Sequence, residues 1–240
     1  MNKQIWVVVG LAAFVLLGVS LGQLQRHGRL SLSAVLAEAS SPLQPAGQTL
    51  AADFDKDKTG GAPPGFHSAR TGQGPEGTWV VVTDTTAPSK TNVVAQTSGD
   101  RTDYRFPLLI ADHGSYKDLD LIVKFKAVDG EVDRAAGLVF RLVDANNYYV
   151  VRANALEDNL RLYHVVDGTR RQFAGANFKV TAGEWHELKV DCVGNRITCY
   201  YDGQKKIEAT DDTFKEAGKI GLWTKADSLT HFDDLRVVAK

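Results

Sequence analysis

The amino-acid sequence predicts an all-β protein, in which a two-sheet antiparallel β-sandwich is preceded by one N-terminal hydrophobic helix. Two observations support this fold class. About a dozen short stretches after Trp79 alternate apolar and polar residues, and turn residues recur about every 8–12 positions. No amphipathic helical pattern occurs beyond the N-terminal segment. The 240 residues suffice for one such domain with a sizeable core.

Residues 1–22 are predicted to form a signal anchor or signal peptide. The stretch from Ile5 to Gly22, IWVVVGLAAFVLLGVSLG, contains no charged residue and follows Lys3. Its length of about 18 residues is near the minimum for a membrane span and is long for a signal-peptide core. The sequence therefore favours export, with the protein anchored in a membrane through this helix or secreted, and located in the periplasm or outside the cell.

Residues 23–51 are predicted to be a flexible linker, because the segment is small, polar and proline-containing and has no sustained periodicity. Residues 52–240 show no break in composition and are predicted to form one domain. Basic and acidic residues number 28 and 29, are interspersed, and give a net charge of −1. This balance offers no basic surface for nucleic acid, so we expect no nucleic-acid partner.

The alternation also predicts which face of each strand is buried. In LDLIVKFKAV, Leu119, Leu121 and Val123 fall on one face and Lys124 falls on the other. Similar patterns predict strands in LRLYHVV, in HELKVDC and in the segment that returns after Gly194. A three-residue loop at Asp202-Gly203-Gln204 then predicts one more strand, with Ile207 opposite Cys199. Further strands are predicted at 78–83, 92–97, 104–109, 136–143, 147–154, 170–175, 218–224 and 230–238.

The two cysteines fall on the inward face of neighbouring strands. Cys192 and Cys199 are offset diagonally in the predicted register, and diagonal neighbours lie about 7–8 Å apart, at or beyond the normal reach of a disulfide. Export would permit a bridge, and two buried thiols would serve equally well as small apolar residues. Both alternatives stay open.

Three stretches together resemble a known superfamily. They are GLVFRLVDANNYYVVRANALEDNLRLYHVVDG, GEWHELKVDCVGNRITCYYDGQKKIEATDDTF and GKIGLWTKADSLTHFDDLRV. They are similar to concanavalin A-like lectin/glucanase jelly rolls, of the kind found in laminin G-like domains and the bacterial 3-keto-glycoside hydrolase group. The resemblance covers residues 52–240 and implies a jelly-roll sandwich. It leaves function open, because lectins, glycosidases and adhesion modules share the fold.

Ligand binding is expected on the concave sheet of such a fold. Tyr149 and Val151 suit the core, which leaves their neighbours on strand 147–154 facing outward. Aromatic rings stack on sugar rings, and planar polar groups bind sugar hydroxyls. The alternative is that the aromatic residues are partly buried in the sandwich and that the arginine is only a cross-strand ion-pair partner. The predicted ligand-binding residues are Tyr148, Arg152, Asn154, Trp223, Lys225 and Asp227.

The stretch GEVDRAAG resembles the carboxylate strand of family 16 glycoside hydrolases, but Ala136 replaces the third carboxylate. Asp129-Gly130 is a turn signal, so Glu131 and Asp133 are expected in an exposed loop and normally ionised. We therefore predict no catalytic residue and a non-catalytic module that binds a glycan or another extracytoplasmic ligand.

Two alternatives remain. The resemblance also allows a hydrolase or lyase that acts on glycosides, for which Glu157, His164 and Asp227 are the candidate groups. It equally allows a laminin G-like protein-interaction module.

One structural calcium ion is the metal hypothesis, since many jelly rolls of this type bind one where the first and last strands meet. Calcium prefers oxygen ligands. Asp53 and Asp55 near the start and Asp233 near the end are the predicted ligands, and the alternative is a set of solvated turn aspartates.

Overall fold

The computed structural model describes Gly47 and residues 49–240. The predicted signal anchor or signal peptide, its hydrophobic helix and most of the predicted linker lie outside the described residues. Within residues 49–240 every regular element is a β-strand, so the all-β prediction is confirmed for this part of the chain. The same range contains no helix with the length and hydrophobicity needed to cross a membrane.

The described residues form two antiparallel sheets. Sheet 1 has eight strands in the order β13-β12-β11-β6-β15-β4-β3, with β1 also paired to β15. Sheet 2 has seven strands in the order β10-β9-β8-β7-β14-β5-β2. The strands are β1 (Thr49–Ala52), β2 (Phe66–Gly72), β3 (Trp79–Thr83), β4 (Asn92–Gln96), β5 (Arg105–Ala111), β6 (Leu119–Asp129), β7 (Ala135–Asp144), β8 (Asn147–Asn154), β9 (Asn159–Val166), β10 (Thr169–Asn177), β11 (Trp185–Val193), β12 (Arg196–Tyr201), β13 (Gln204–Thr210), β14 (Lys219–Trp223) and β15 (Leu229–Ala239).

Two strands were not predicted. β1 pairs with β15 and begins within the segment predicted as a linker, and β2 forms the edge of sheet 2 beside β5. Both are half-exposed or exposed along most of their length, so their sequences lack the clear apolar alternation of the inner strands.

The core lies between the sheets and follows the period of two. Leu119, Leu121, Val123 and Phe125 on β6 are all fully buried in it, as predicted. Sheet 2 contributes the alternate residues of β8, including Tyr149, to the same core. The alternation therefore fixes which side chains of sheet 2 face away from sheet 1.

Both cysteines are buried free thiols, so the disulfide alternative is wrong in this structure. Cys192 pairs with Ile197 and Cys199 pairs with Val190, which confirms the diagonal offset. Burial raises the pKa of the Cys192 thiol to about 11, and it also raises the pKa of Cys199. The two residues thus act as small apolar side chains of the core.

Candidate functional site

Sheet 2 buries apolar side chains on both of its faces. One face packs against sheet 1, and the opposite face, here called the outer face, carries a second apolar cluster. Four aromatic rings belong to it: Phe106, Tyr148, Tyr163 and Trp223. Phe106 and Trp223 stack with ring centroids 5.4 Å apart.

Backbone geometry positions these rings. On β8, Tyr148 and Arg152 face outward because Tyr149 and Val151 face the core, as predicted. Trp223 on β14 lies opposite Gly137 on β7. A Cβ atom at Gly137 would lie only 3.2 Å from the Trp223 side chain, so the glycine makes room for the indole ring.

The predicted outward orientation of Tyr148 and Trp223 is confirmed, but both side chains are fully buried. The alternative stated for them expected partial burial, and the structure buries both rings completely on the outer face. The Tyr148 hydroxyl lies 2.7 Å from Thr71 Oγ1, and burial raises the pKa of Tyr148 to about 12. In this conformation neither ring offers an open stacking surface, and their contact with a ligand stays a prediction.

Tyr104 and Arg170 cover the aromatic rings. The Arg170 guanidinium lies 4.6 Å from the Phe106 ring, 4.5 Å from the Tyr163 ring and 5.6 Å from the Trp223 ring. The Tyr104 hydroxyl donates to Gly168 O and accepts from Arg170 N, both at 3.1 Å. The residue before β5 is thereby joined to the β9–β10 turn across the outer face.

A group of polar residues occupies the end of the outer face. We call Asp133, Arg152, Asn154, Glu157 and Lys225 the polar cluster. Lys225 Nζ lies 3.1 Å from Asp133 Oδ2, and Asn154 Nδ2 donates to Asp133 Oδ1 at 2.8 Å. The structure therefore brings three of the predicted ligand-binding residues, Arg152, Asn154 and Lys225, into one network.

Arg152 is nearly completely buried and holds Glu157 in place. Arg152 Nη2 donates to Glu157 Oε2 at 3.0 Å and to the Tyr163 hydroxyl at 3.1 Å, and its Nη1 donates to Asn159 Oδ1 at 2.9 Å. Burial opposes ionisation of Glu157, but the hydrogen bond from Asn159 and the Arg152 charge outweigh it and lower the pKa of Glu157. Glu157 is thus an ionised carboxylate, and its side chain is 49% exposed.

Asp227 acts on the backbone of the loop before β7. Its carboxylate accepts hydrogen bonds from the amides of Glu131, Val132 and Asp133 at 3.0–3.1 Å. These bonds outweigh burial and lower the pKa of Asp227. The arrangement indicates a structural role for Asp227, and its predicted role in ligand binding stays untested.

The expectation for the GEVDRAAG loop is wrong for one of its two acids. Glu131 is exposed, as expected, and it pairs with Arg101. Asp133 is only 1% exposed, because the hydrogen bond from its amide to Asp227 holds the loop against the end of sheet 2. Burial raises the pKa of Asp133, although the charges of Arg152 and Lys225 oppose the change.

Two buried guanidinium nitrogens on this face have no hydrogen-bond acceptor among the described residues: Arg152 Nε and Arg170 Nη1. Buried donors are rarely left without an acceptor, so such positions call for an explanation. Both guanidinium groups contact the ring of Tyr163, Arg152 at 5.9 Å and Arg170 at 4.5 Å.

Sequence reasoning missed Tyr163, Arg170 and Asp133 as members of this site. The signal for Tyr163 was present, because LRLYHVV alternates and places Arg161 and Tyr163 on the outer face. No comparable signal exists for Arg170, whose contacts depend on how sheet 2 brings β10 towards β5.

His164, a candidate base in the enzyme alternative, lies elsewhere. It stacks on Phe173, which packs against the core between the sheets, with ring centroids 5.6 Å apart. Its Nδ1 atom is 3.3 Å from Asp211 Oδ2. Of the three candidates, Glu157 and Asp227 lie at the polar end of the outer face, and His164 does not join them.

The predicted calcium ligands are only partly brought together. Burial raises the pKa of Asp234, and the nearby charges of Asp53 and Asp55 add to the change. Asp233 instead accepts hydrogen bonds from Ser89 at 3.0–3.1 Å through both of its carboxylate oxygens. No group of three or more metal-binding side chains occurs in the described part of the chain. The calcium ion and its three predicted ligands stay a prediction.

The fold is a concanavalin A-like jelly roll, as solved structures confirm. One is the carbohydrate-binding module CBM66 from Bacillus subtilis, at 20% identity and a TM-score of 0.59, covering 73% of this chain and 96% of that one. A second is the β-glucanase of Bacillus licheniformis, at 16% identity and a TM-score of 0.55, covering 81% and 99%. A third is domain 4 of the arabinanase AbnA from Geobacillus stearothermophilus in complex with arabinotriose, at 13% identity and a TM-score of 0.53, covering 81% and 93%.

Residues 60–238 match the family of 3-keto-alpha-glucoside-1,2-lyase-like domains, and the chain belongs to this family. The solved neighbours include both carbohydrate-binding and glycosidase-related jelly rolls. No functionally curated protein matches the sequence.

Proposed function

We propose that the sandwich is an extracytoplasmic glycan-binding module and that the glycan binds at the polar cluster on the outer face of sheet 2. Jelly rolls whose names describe carbohydrate binding, such as CBM66 and the arabinotriose-bound domain, support the ligand class. The fold alone does not define a ligand, so the proposal depends on the chemistry of the site.

The geometry of Glu157 carries the proposal. Its Oε2 atom is held by Arg152 and by Asn159 Nδ2, at 3.0 and 3.1 Å, whereas Oε1 has no partner among the described residues. The carboxylate is therefore fixed in direction, half-exposed and still able to accept a hydrogen bond. Sugar hydroxyls are donors that such a carboxylate binds well.

Replacing Glu157 with glutamine tests this site. The variant keeps the shape but removes the charge, and a hydrogen bond to a charged group is the stronger kind. We expect the dissociation constant for a glycan identified on an array to rise about 10-fold or more. Isothermal titration calorimetry of the full-length protein would measure it.

Glu208→Gln is the matched control, because Glu208 is an exposed glutamate on sheet 1 that also pairs with a basic residue, Lys205. Its affinity should equal that of the unmodified protein. Equal affinities for all three proteins would remove Glu157 from the site, and a folded protein that retains no glycan would contradict the proposed function.

A second candidate function is glycoside elimination, which the match of residues 60–238 to the 3-keto-alpha-glucoside-1,2-lyase-like domains supports. The pKa of Asp133 is raised and that of Glu157 is lowered, and the charge of Glu157 contributes to the shift of Asp133. Such pairs supply an acid and a base. In a 1,2-elimination the base takes the proton from carbon 2, the electrons of that C–H bond form a C1=C2 double bond as the C1–O bond breaks, and the acid protonates the leaving oxygen.

Turnover of a 3-keto-alpha-glucoside at a series of pH values tests this candidate. Activity should rise with pH as Glu157 loses its proton, below the usual range of a glutamate. It should fall again as Asp133 loses its proton, above the usual range of an aspartate. Asp133→Asn should abolish turnover and leave glycan binding measurable, whereas binding without turnover in the unmodified protein would leave the binding function alone.

A further inference from the structure

The outer face of sheet 2 places arginines close to one another. The register of β8 and β9 sets Arg152 directly opposite Arg161, and Arg170 follows on β10 opposite Val165. Like charges that face each other across neighbouring strands are destabilising. The three arginines flank Tyr163, whose ring contacts both Arg152 and Arg170.

The carboxylates at this end of the sheet already have partners. Glu157 is paired with Arg152, and Lys225 is paired with both Asp133 and Asp103. Asp227 is bound by three backbone amides. None of these groups is within ion-pair distance of Arg161 or Arg170.

Arg161 has only neutral partners in the described part of the chain. Its guanidinium donates to Ala176 O at 3.1 Å and to Asn177 Oδ1 at 2.6 Å. It reaches them across Gly175, where a Cβ atom would lie 2.7 Å from Arg161 Cδ. The side chain therefore lies along the β10 edge of the outer face with its charge unbalanced.

Arg170 likewise has no carboxylate partner among residues 49–240. Its guanidinium packs on three aromatic rings, and the buried Nη1 atom lacks an acceptor. The rings fix the plane of the guanidinium, and a planar guanidinium held in place is suited to bidentate binding of a carboxylate. Arg170 is only half-buried, so part of its side chain faces solvent.

The spacing of the two arginines points to an extended ligand. Arg161 and the residue opposite Arg170, Val165, are four positions apart on β9. At about 3.3 Å per residue this corresponds to about 13 Å along the strand. Two anion-binding residues spaced in this way along a strand suit an oligosaccharide with repeated acidic groups better than a single small anion.

We infer that the site binds an acidic oligosaccharide that bears uronate carboxylates, with Arg161 and Arg170 as the anion-binding residues. This inference rests on the proposed function and names the ligand class of the same site. Glu157 then accepts hydrogen bonds from hydroxyl groups of the ligand, and Arg152 balances the negative charge of Glu157.

Matched ligands test the inference. Tetrasaccharides of glucuronate, galacturonate and mannuronate would be titrated into the full-length protein. Each would be compared with its neutral, carboxyl-reduced counterpart and with a sulfated form of that neutral tetrasaccharide. We expect at least one uronate to bind about 10-fold more tightly than its reduced counterpart, with an affinity that falls as salt is added.

The variants Arg161→Gln and Arg170→Gln should each reduce this preference to within about 2-fold. Arg171→Gln is the matched control, since Arg171 is an exposed arginine on the same strand and faces the opposite side of β10. It should retain the full preference. Near-UV circular dichroism checks that each variant is folded. Arg161 packs on no aromatic ring among the described residues, so Arg161→Gln still tests the inference if Arg170→Gln misfolds.

Other outcomes overturn the inference. Equal binding of reduced and uronate forms, or a preference retained in both variants, would leave the glycan-binding function standing without the acidic ligand. Stronger binding of the sulfated sugar would reject a carboxylate site. Binding of no sugar in any form would reject the acidic ligand and the glycan-binding function together.

Discussion

Replacing Trp223 with alanine is expected to lower the free energy of unfolding by about 3–5 kcal/mol. The indole ring is fully buried on the outer face, stacked on Phe106 and covered by Arg170. Its removal leaves a cavity beside Gly137, where the backbone approaches closely and has little room to collapse. Urea denaturation followed by circular dichroism would measure the change.

Trp185→Ala provides the comparison for this prediction. Trp185 is a half-buried tryptophan on sheet 1, held by a hydrogen bond to Thr86 and by Lys126 over its ring. Trp185→Ala should lower the free energy of unfolding by only about 1 kcal/mol, as substitutions of other partly exposed side chains do. Similar losses for the two variants would contradict the view of Trp223 as a buried structural residue.

Replacing Arg105 with methionine is expected to cost about 3–5 kcal/mol and to weaken glycan binding as well. The fully buried Arg105 guanidinium donates to the carbonyls of Pro75, Glu76 and Ala226 at 2.6–3.0 Å. Methionine fills the space but leaves these acceptors unsatisfied. Ala226 lies in a left-handed conformation between Lys225 and Asp227, so losing its bond to Arg105 should loosen the polar cluster.

Thermal unfolding and calorimetric titration would test both parts of this prediction. Arg196→Met, at an exposed position on β12, should change stability by no more than about 0.5 kcal/mol. If Arg105→Met unfolded at the temperature of the unmodified protein, the bonds of Arg105 would have no net effect on stability.

The alternation of apolar and polar residues along the strands predicted much of the fold. It gave the inner strands, the buried faces and the outward direction of Tyr148, Arg152, Asn154 and Trp223, because side-chain direction in a strand is a local property. It did not give the edge strands β1 and β2. Their residues are exposed along much of their length, and their place depends on partners far away in the sequence.

The contacts that cover the aromatic rings of the outer face could not be predicted from the local sequence. Tyr104 and Arg170 are far apart in the sequence and meet only because sheet 2 brings the start of β5 near the β9–β10 turn. The burial of Asp133 likewise depends on Asp227, which comes from the segment after β14. A turn signal such as Asp129-Gly130 indicates where the chain reverses, but not whether another loop will close over it.

The place of β15 in sheet 1 has a consequence for how this chain is made. One edge of β15 pairs with β6, and the other pairs with β4 and then with β1. Every other described strand precedes β15 in the sequence, so sheet 1 stays divided until the last strand of the domain is free to fold. Closing it joins segments from opposite ends of the domain, which is an intrinsically slow step. Until then the unpaired edges of β4 and β6 are open to pairing with other nascent chains, and a chaperone that shields them should raise the yield of folded protein.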